Sequence, residues 1–273
     1  MTDTISFEIV EQIADIRLNR PEKRNAINLE LMQSLILIAK QLKTNKQLRA
    51  IVLSGNGESF CAGMDFEIFS DMLSGKINAD DNAEDFEDLS EQGANPGQQM
   101  GWLWQEIPVP VIAAIHGVAI GAGLNIALGA DIRIVTPDAK LGLLEITWGF
   151  LPDTSATQSL QRLANLDRIK ELIFTGRFFS GQEAYEYGLA TELSDAPYQR
   201  ALEMATTIAG HNPDAIRRAK DMLNKLALLS VKEGLALEAE HCRSLLGSPN
   251  QLEATAARFE KRAPRFSDPQ YLS

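Results

Sequence analysis

The stretch HGVAIGAGLNIALGADIRI, residues 116–134, decides the fold class of this chain. The apolar run Val109–His116 leads into it and predicts a buried strand, Gly121–Ala130 predicts a helix opened by glycines, and Asp131–Thr136 predicts another strand. A strand, a helix and a strand in this order are typical of an α/β core whose strands are mostly parallel.

A second turn of similar character, FCAGMD at residues 60–65, follows the predicted strand Arg49–Ser54. Small residues let the backbone turn sharply and approach a ligand closely. A turn that opens a helix also leaves backbone N–H groups free at the positive end of the helix dipole. The two turns therefore predict a pair of N–H donors aimed at one carbonyl oxygen, and tight packing turns without a ligand are the alternative.

Patterns on either side of these turns extend the prediction. Alternating apolar residues in Ile5–Glu11 and Ile13–Asn19 indicate a hairpin, and Asn28 is a suitable N-cap for the helix that follows. From about Ser155 onward the strand signal fades and the pattern predicts helices. We place these helices at Ile169–Thr175, Gly181–Tyr187, Tyr198–Ala209, Pro213–Ala227, Val231–Leu246 and Asn250–Lys261. Amphipathic helices after an α/β core often bury their apolar faces against another subunit.

The charge of the chain is concentrated in one region. The net charge is −11, and from Asp65 to Glu91 ten acidic residues face a single basic one, Lys76. Nucleic acids are bound through clustered Lys and Arg, so this balance argues against a nucleic-acid partner. Residues 66–100 show weak periodicity, which predicts a lid or an excursion rather than core. The acidic residues themselves indicate a solvated helix face or a mobile loop.

Several function classes lack their sequence signals. Met1–Val10 has no basic segment before an apolar one, and no apolar run approaches the roughly 18–20 residues that span a bilayer, so we expect neither a secretory signal nor a membrane partner. Cys61 and Cys242 lie far apart, which predicts two reduced thiols in a cytoplasmic protein. His211 and His241 have no spacing partner for a metal site. Motifs for a serine hydrolase, a Walker A loop or a Rossmann turn do not occur.

A longer set of motifs gives the two turns a context. Their order and spacing resemble those of the crotonase (enoyl-CoA hydratase/isomerase) superfamily from Asn19 to the C-terminal helix. The matching segments are NRPEKRNAIN (19–28), FCAGMD (60–65), HGVAIGAGLNIALGADIRI (116–134), AKLGLLEITWGFLPD (139–153) and SGQEAYEYGLATEL (180–193).

This resemblance implies an α/β fold built as a crotonase-type spiral of ββα units. It implies a spiral core with the oxyanion pocket at residues 1–200 and a helical, trimerising C-terminal region at 201–273. The expected assembly is a homotrimer or a homohexamer. The expected substrate is an acyl-CoA thioester, with coenzyme A as part of the substrate and no separate cofactor or metal.

The resemblance also assigns the oxyanion donors. They are the backbone N–H groups of Met64 and Ala122, and Ala122 stands where glycine is common, so its N–H survives as a donor if its φ is negative. Two preorganised donors of this kind lower an enolate barrier by roughly 3–4 kcal/mol each. Neighbouring positions are expected to bind substrate, and Asp65–Glu67 to line the acyl-pantetheine entrance. The oxyanion and substrate-binding set is Ala62, Gly63, Met64, Asp65, Phe66, Glu67, Gly121, Ala122 and Gly123.

Three residues are expected to decide the reaction. Family hydratases use two glutamates, whose positions are Asn125 and Glu145 here. An amide neither accepts nor delivers a proton, so Asn125 is left to orient a water or the substrate. Glu145 lies among apolar residues, and burial there raises a carboxyl pKa toward the working range of a general base. Asp153 resembles an aspartate of the dienoyl-CoA isomerases, which pair it with the glutamate, and its alternative role is a helix N-cap before Thr154–Leu163.

These positions favour enoyl-CoA double-bond isomerisation with Glu145 as general base. Enoyl-CoA hydratase in fatty-acid β-oxidation is the second hypothesis, and a non-catalytic CoA-ligand-binding homologue is the third. We expect His116 to bond to backbone and Cys61 not to act as a nucleophile. Trp102 and Trp104 are candidates for an acyl tunnel or for the core. The basic–aromatic cluster at Phe259, Lys261, Arg262, Arg265 and Phe266 is a candidate for the CoA adenine and phosphate, or a solvated helix end.

Overall fold

Strands and helices alternate through most of the described chain. The computed structural model describes residues 4–76 and 88–271. The strands are β1 Ile5–Val10, β2 Ile13–Leu18, β3 Ala50–Gly55, β4 Val111–Ile115, β5 Val118–Ile120, β6 Ile132–Val135, β7 Lys140–Gly142, β8 Phe178–Ser180 and β9 Glu192–Leu193. The helices are α1 Leu29–Lys43, α2 Phe66–Leu73, α3 Pro96–Glu106, α4 Ala122–Leu128, α5 Ala156–Leu160, α6 Leu166–Thr175, α7 Gly181–Glu186, α8 Pro197–Ala209, α9 Pro213–Lys225, α10 Val231–Leu245 and α11 Pro249–Phe259. Short 3-10 turns lie at Pro21–Lys23, Glu145–Trp148 and Leu226–Leu228.

The larger sheet has the order β1-β2-β3-β4-β6-β9, and the smaller one has the order β5-β7-β8. In the larger sheet β1 and β2 form the predicted antiparallel hairpin, and every later neighbour is parallel. The prediction of an α/β core with mostly parallel strands is confirmed. Because β4 and β5 belong to different sheets, the chain passes from one sheet to the other at Gly117. Gly117 has a φ of +60°, and a Cβ there would lie only 1.9 Å from the Glu58 carbonyl oxygen.

Both faces of the larger sheet are covered. The main core contains the side chains of Ile16, Leu53 and Trp104, and α1 contributes its buried face, including Leu31 and Leu35. A second, smaller cluster is formed where α8 packs on β2, β3, β4 and β6 through Ala201 and Ala205. Small side chains on α8 let the helix lie close to the strands. Strands β3 and β4 of the larger sheet are therefore buried on both sides.

The helices that the sequence predicts are present in the structure, and some of the strands were not predicted. Asn28 caps α1, with Oδ1 accepting from Leu31 N at 3.0 Å, as predicted. The expectation that strands end near Ser155 is wrong, because β8 and β9 follow. These strands have three and two residues, too few for a period-2 pattern to show.

Residues 66–100, the region predicted as a lid or an excursion, are only partly described by the structure. Residues 77–87, which hold much of the acidic run, lie outside the described residues. Residues 96–100 belong to α3, whose buried face includes Met100, Trp102 and Trp104, so this part is core and the prediction is wrong there. Both tryptophans therefore pack inside the protein. Lys40 and Lys43 on α1 pair with Asp88 and Glu91, which fixes the segment leading into α3.

The C-terminal helices carry exposed apolar side chains, notably Val231, Leu235 and Leu246 on or beside α10. Helix α8 crosses residue 200 and packs on the sheet, and the division of the chain at that residue stays a prediction. In the described parts of the chain, no helix is long and apolar enough to cross a membrane.

Candidate active site

The two glycine turns lie side by side. Cys61 and Ala119 form a parallel bridge, with Cys61 N donating to Val118 O at 2.9 Å and Ile120 N donating to Cys61 O at 3.1 Å. The turn after β3 is thus paired with β5, the strand that leads directly into α4. This pairing fixes the spacing between the two segments that the sequence predicts to carry donors.

Close backbone contact between the turns requires two of the glycines. A Cβ on Gly123 would lie 2.6 Å from the Cys61 carbonyl oxygen and 2.7 Å from its Sγ. Gly63 has a φ of +84°, and a Cβ there would lie 2.9 Å from the Ile120 carbonyl oxygen. Both are positions where a side chain forces the turns apart. The close approach of the two turns is therefore compatible with both predictions, tight packing turns and a pair of N–H donors.

The predicted donors are free of backbone partners. Within residues 4–76 and 88–271, neither Met64 N–H nor Ala122 N–H donates to a backbone carbonyl. Ala122 is the first residue of α4 and has no positive φ, so its N–H keeps the orientation of a helix N-terminus. The condition under which an alanine preserves this donor is met.

The Met64 turn is held from outside by residues 20–27. Ile27 N donates to Gly63 O at 2.7 Å and Asp65 N donates to Ile27 O at 2.9 Å, so two backbone bonds flank Met64. Arg20 Nη1 pairs with Asp65 Oδ2 at 2.9 Å. Asp65 is buried and its other oxygen accepts from Glu67 N, which caps α2.

The pKa of Asp65 reflects this setting. Burial acts to raise the pKa, but the hydrogen bond and charge of Arg20 and the Glu67 amide outweigh it, and the pKa is lowered. Asp65 is therefore a buried carboxylate that fixes the turn, and its place at the acyl-pantetheine entrance stays a prediction.

Glu145 lies against the second turn. It begins the 3-10 turn Glu145–Trp148, and its Oε1 would be 3.7 Å from a Cβ on Gly121. Asn125 on α4 is fully buried and donates from Nδ2 to Glu145 Oε1 at 2.7 Å. Asn125 Oδ1 and Glu145 Oε2 are both buried without a hydrogen-bond partner in the described structure. Two acceptors are thus available to a substrate or a water beside the donor pair.

The pKa of Glu145 is raised, as predicted. Burial is the largest cause, the hydrogen bonds from its own backbone and from Asn125 oppose it, and the negative charge of Asp153 raises the pKa further. Such a shift brings a carboxyl toward the range in which it both accepts and releases a proton near neutral pH.

Asp153 is close enough to influence Glu145 through its charge. Part of its surface is exposed, yet the surrounding protein removes enough hydration to raise its own pKa. The alternative role as a helix N-cap is wrong, because α5 begins at Ala156 after Ser155 and Asp153 makes no cap bond. The structure thus brings together Glu145, Asp153 and Asn125, the three residues predicted to decide the reaction.

Other candidates have structural roles or lie at the surface. His116 Nε2 bonds to the Gly57 carbonyl oxygen at 2.9 Å, as expected. Burial raises the pKa of the Cys61 thiol to about 12, which excludes a thiolate nucleophile. Arg262 pairs with Glu253 and Glu260, and Phe259 is 84% exposed, which fits a solvated helix end.

Two features were not among the predicted site residues. Arg20 fixes the Met64 turn through its pair with Asp65. Its position inside the family motif NRPEKRNAIN is the sequence signal by which it could have been predicted. Trp148 packs against Phe69 of α2. Its position three residues after Glu145 is the sequence signal by which it could have been predicted.

The fold and this site define a class of acyl-CoA enzyme, and comparison with known proteins identifies the family. A family model described as Enoyl-CoA hydratase/isomerase matches residues 8–269. The chain belongs to the enoyl-CoA hydratase/isomerase family, the crotonase superfamily, and is an enzyme of that family.

Individual relatives agree with this assignment. Human mitochondrial enoyl-CoA hydratase domain-containing protein 2 is 34% identical over 264 residues, covering 93% of this chain and 85% of the relative. Mouse mitochondrial methylglutaconyl-CoA hydratase is 32% identical over 261 residues, covering 93% and 79%. The crystal structure of an enoyl-CoA hydratase from Bacillus anthracis matches with a TM-score of 0.84 and 32% identity, covering 96% of this chain and 98% of that one. The crotonase spiral is thereby confirmed.

Proposed function

We propose that this enzyme isomerises the double bond of an enoyl-CoA thioester, with Glu145 as general base. The observation that carries the proposal is the Asn125–Glu145 hydrogen bond of 2.7 Å. This bond places an amide beside the base, and an amide exchanges no proton. A hydration mechanism with two carboxylates needs a second proton-transfer group at that position. The remaining titrating neighbour is Asp153, whose charge acts on Glu145.

In the proposed reaction, the Met64 and Ala122 N–H groups bind the thioester oxygen of a 3-enoyl substrate. Glu145 removes a proton from C2, and the negative charge passes to that oxygen as a dienolate. In the reactive form of the pair, Glu145 starts ionised and Asp153 carries the proton, which Asp153 delivers to C4 and so leaves the double bond between C2 and C3. Glu145 returns its proton to Asp153 through solvent before the next turnover, so no net proton is consumed. Burial raises the pKa of both carboxyls, and because the Asp153 charge also raises the pKa of Glu145, the two titrate as a coupled pair that can hold one proton on either carboxyl.

Hydration of a 2-enoyl thioester is the second candidate. Two observations favour it. Buried Asn125 Oδ1 has no described partner and is suited to accept a hydrogen bond from a water. The relatives described above carry hydratase names. In this reaction Glu145 would activate the water, and Asn125 would only orient it.

One experiment separates the candidates. The protein is incubated in D₂O with 2-enoyl-, 3-enoyl- and 3,5-dienoyl-CoA, and products and deuterium positions are read by mass spectrometry and NMR. We expect the double bond to move with deuterium at the new position, and Glu145→Gln to reduce the rate by about 10²–10⁴-fold. Fast hydration of the 2-enoyl substrate with no isomerisation would refute the proposal, and binding without deuterium uptake would indicate a non-catalytic protein.

We also propose a homotrimer or homohexamer in the cytoplasm. The exposed apolar side chains Leu223, Leu228, Val231, Leu235 and Leu246 support an assembly in which the C-terminal helices are covered by another subunit. Light scattering with the intact chain gives the oligomeric state.

A further inference from the structure

Three aromatic residues join the two catalytic segments. Phe69 stacks on Trp148 with ring centroids 4.5 Å apart, and Phe66 meets the edge of Trp148 at 5.9 Å. Phe66 and Trp148 are 72% and 49% exposed, and α2 has no buried side chain. This aromatic cluster of Phe66, Phe69 and Trp148 therefore leaves apolar surface uncovered.

The aromatic cluster is attached to the segments that carry the proposed base and one proposed donor. Side chains at i and i+3 of a 3-10 helix eclipse each other, so Trp148 lies on the same face of its turn as Glu145. Phe66 follows Met64 by two residues, and Asp65 between them caps α2. With the thioester oxygen at Met64 and C2 at Glu145, an acyl group that continues along this face of the turn would reach the Trp148 ring.

The charged groups beside the proposed base are negative, and the cations of the Met64 turn, Arg20 and Lys23, act on Asp65. Neither Glu145 nor Asp153 forms an ion pair with a described residue, and the only charge acting on Glu145 from its neighbours is that of Asp153. A second carboxylate on the substrate that extends past Glu145 would meet two acidic groups and an aromatic face, and neither acidic group has a described cation as partner.

We propose that the aromatic cluster selects uncharged, apolar acyl groups, above all flat conjugated or aryl ones, and disfavours acyl groups that carry a second carboxylate. This rests on the proposed function only for the position of the thioester. A conjugated or aryl group has a planar face to stack on Trp148, whereas a saturated chain gains only burial.

Binding of thioesters that are not turned over tests this. The intact protein is titrated calorimetrically with phenylacetyl-, hexanoyl-, glutaryl- and acetyl-CoA. We expect phenylacetyl- and hexanoyl-CoA to bind about tenfold or more tightly than glutaryl-CoA. Equal affinities, or tighter binding of glutaryl-CoA, would overturn the proposal. Because none of these ligands has a double bond to move, the result is independent of whether isomerisation occurs.

Variants assign the selectivity to the cluster. Trp148→Ala should weaken phenylacetyl-CoA binding about tenfold and leave acetyl-CoA binding unchanged. Trp148→Leu, which keeps an apolar side chain if the alanine variant does not fold, removes the planar face and should also weaken phenylacetyl-CoA binding. Tyr185→Ala removes an aromatic residue of matching exposure, 49%, on α7 and should change nothing. An unchanged preference in both Trp148 variants, or an equal loss in Tyr185→Ala, contradicts the assignment.

Discussion

Asn125 donates from Nδ2 to Oε1 of Glu145 at 2.7 Å, and this bond links the helix of the oxyanion turn to the proposed base. The bond favours the ionised form of Glu145 and so opposes the burial that raises its pKa. Asn125 thus tunes the base without exchanging a proton itself.

Removal of this bond should shift the pH dependence of the reaction. In Asn125→Ala the pKa of Glu145 rises further, because burial and the Asp153 charge remain while an opposing hydrogen bond is lost. Glu145 acts as a base when ionised, so the acidic limb of the pH–kcat/KM profile should move to higher pH. We expect activity near neutral pH to fall about tenfold, the value of one hydrogen bond to a charged group.

Asn224→Ala is a matched control, since Asn224 Nδ2 also donates one bond, at 3.1 Å to the Gln105 carbonyl oxygen, away from the carboxyls. Its profile should coincide with that of the parent protein. If the acidic limb of the pH–kcat/KM profile of Asn125→Ala does not move, or moves to lower pH, the Asn125 amide does not lower the pKa of Glu145.

Asp153→Asn should separate two proton transfers. Glu145 still removes the C2 proton, so exchange of that position with D₂O continues, whereas the amide delivers no proton at the distant carbon. We expect isomerisation to fall by about 10²-fold or more and exchange to persist. Loss of the negative charge also lowers the pKa of Glu145, which moves the acidic limb of exchange to lower pH.

Glu145→Gln and Asp138→Asn are the comparisons for this experiment. The first should remove exchange and isomerisation together, and the second changes an exposed aspartate outside the site and should change neither. Equal loss of exchange and isomerisation in Asp153→Asn would instead make Asp153 part of the base.

The sequence predicts the site because its parts lie on local turns. The glycines and the helix start mark the two short turns, the family resemblance assigns Met64 and Ala122 as donors within them, and the structure places the two turns side by side. The contact between Arg20 and Asp65 spans 45 residues, and no local periodicity reports such a pairing. The same holds for Trp148 and Phe69, which lie on a 3-10 turn and a helix joined only in three dimensions.

The strands missed by the sequence have a similar cause. β8 and β9 are set by pairing with β7 and β6, and their few residues carry too little pattern of their own. Residues 96–100 read as an excursion because Gly97 and Gly101 interrupt the apolar pattern of α3. Gly101 is required there by packing, since a Cβ would lie 2.6 Å from Ser155 Oγ.

Gly123→Ala should damage both stability and catalysis. The added Cβ would lie within 2.7 Å of three atoms of Cys61, one of them a backbone oxygen, so α4 must move away from the first turn. We expect about 1–3 kcal/mol of lost unfolding free energy and a fall in kcat of about 10²-fold as the two donors separate. Urea denaturation and steady-state kinetics measure these effects.

Gly234→Ala provides the contrast. Gly234 lies inside α10, where a Cβ would be 3.5 Å from Leu226 Cδ2, an ordinary contact. Alanine should raise the unfolding free energy by about 0.5–1 kcal/mol and leave kcat unchanged. If Gly123→Ala is as harmless as Gly234→Ala, the close contact with Cys61 does not position the donors.

Asp65→Asn should change the pH dependence of stability. Asparagine is also a good N-cap, so the substitution keeps the end of α2 and removes the carboxylate that pairs with Arg20. Because the folded-state pKa of Asp65 is lowered, the pair contributes stability above the unfolded pKa of about 3.9, and this contribution is lost as the pH falls through the folded pKa. At neutral pH the variant should lose about 3 kcal/mol, the cost of breaking a buried pair.

The measurement is the difference in unfolding free energy between parent and variant from neutral pH to the most acidic pH at which both fold. That difference should be constant at neutral pH and shrink in acid. Asp71→Asn breaks an exposed pair with Lys76, at 2.7 Å, and should change the unfolding free energy far less, because water screens the pair. If the Asp65 difference is equally small, or grows as the pH falls, Arg20 does not stabilise the turn through its charge, and the backbone bonds on either side of Met64 are sufficient to hold the oxyanion donor.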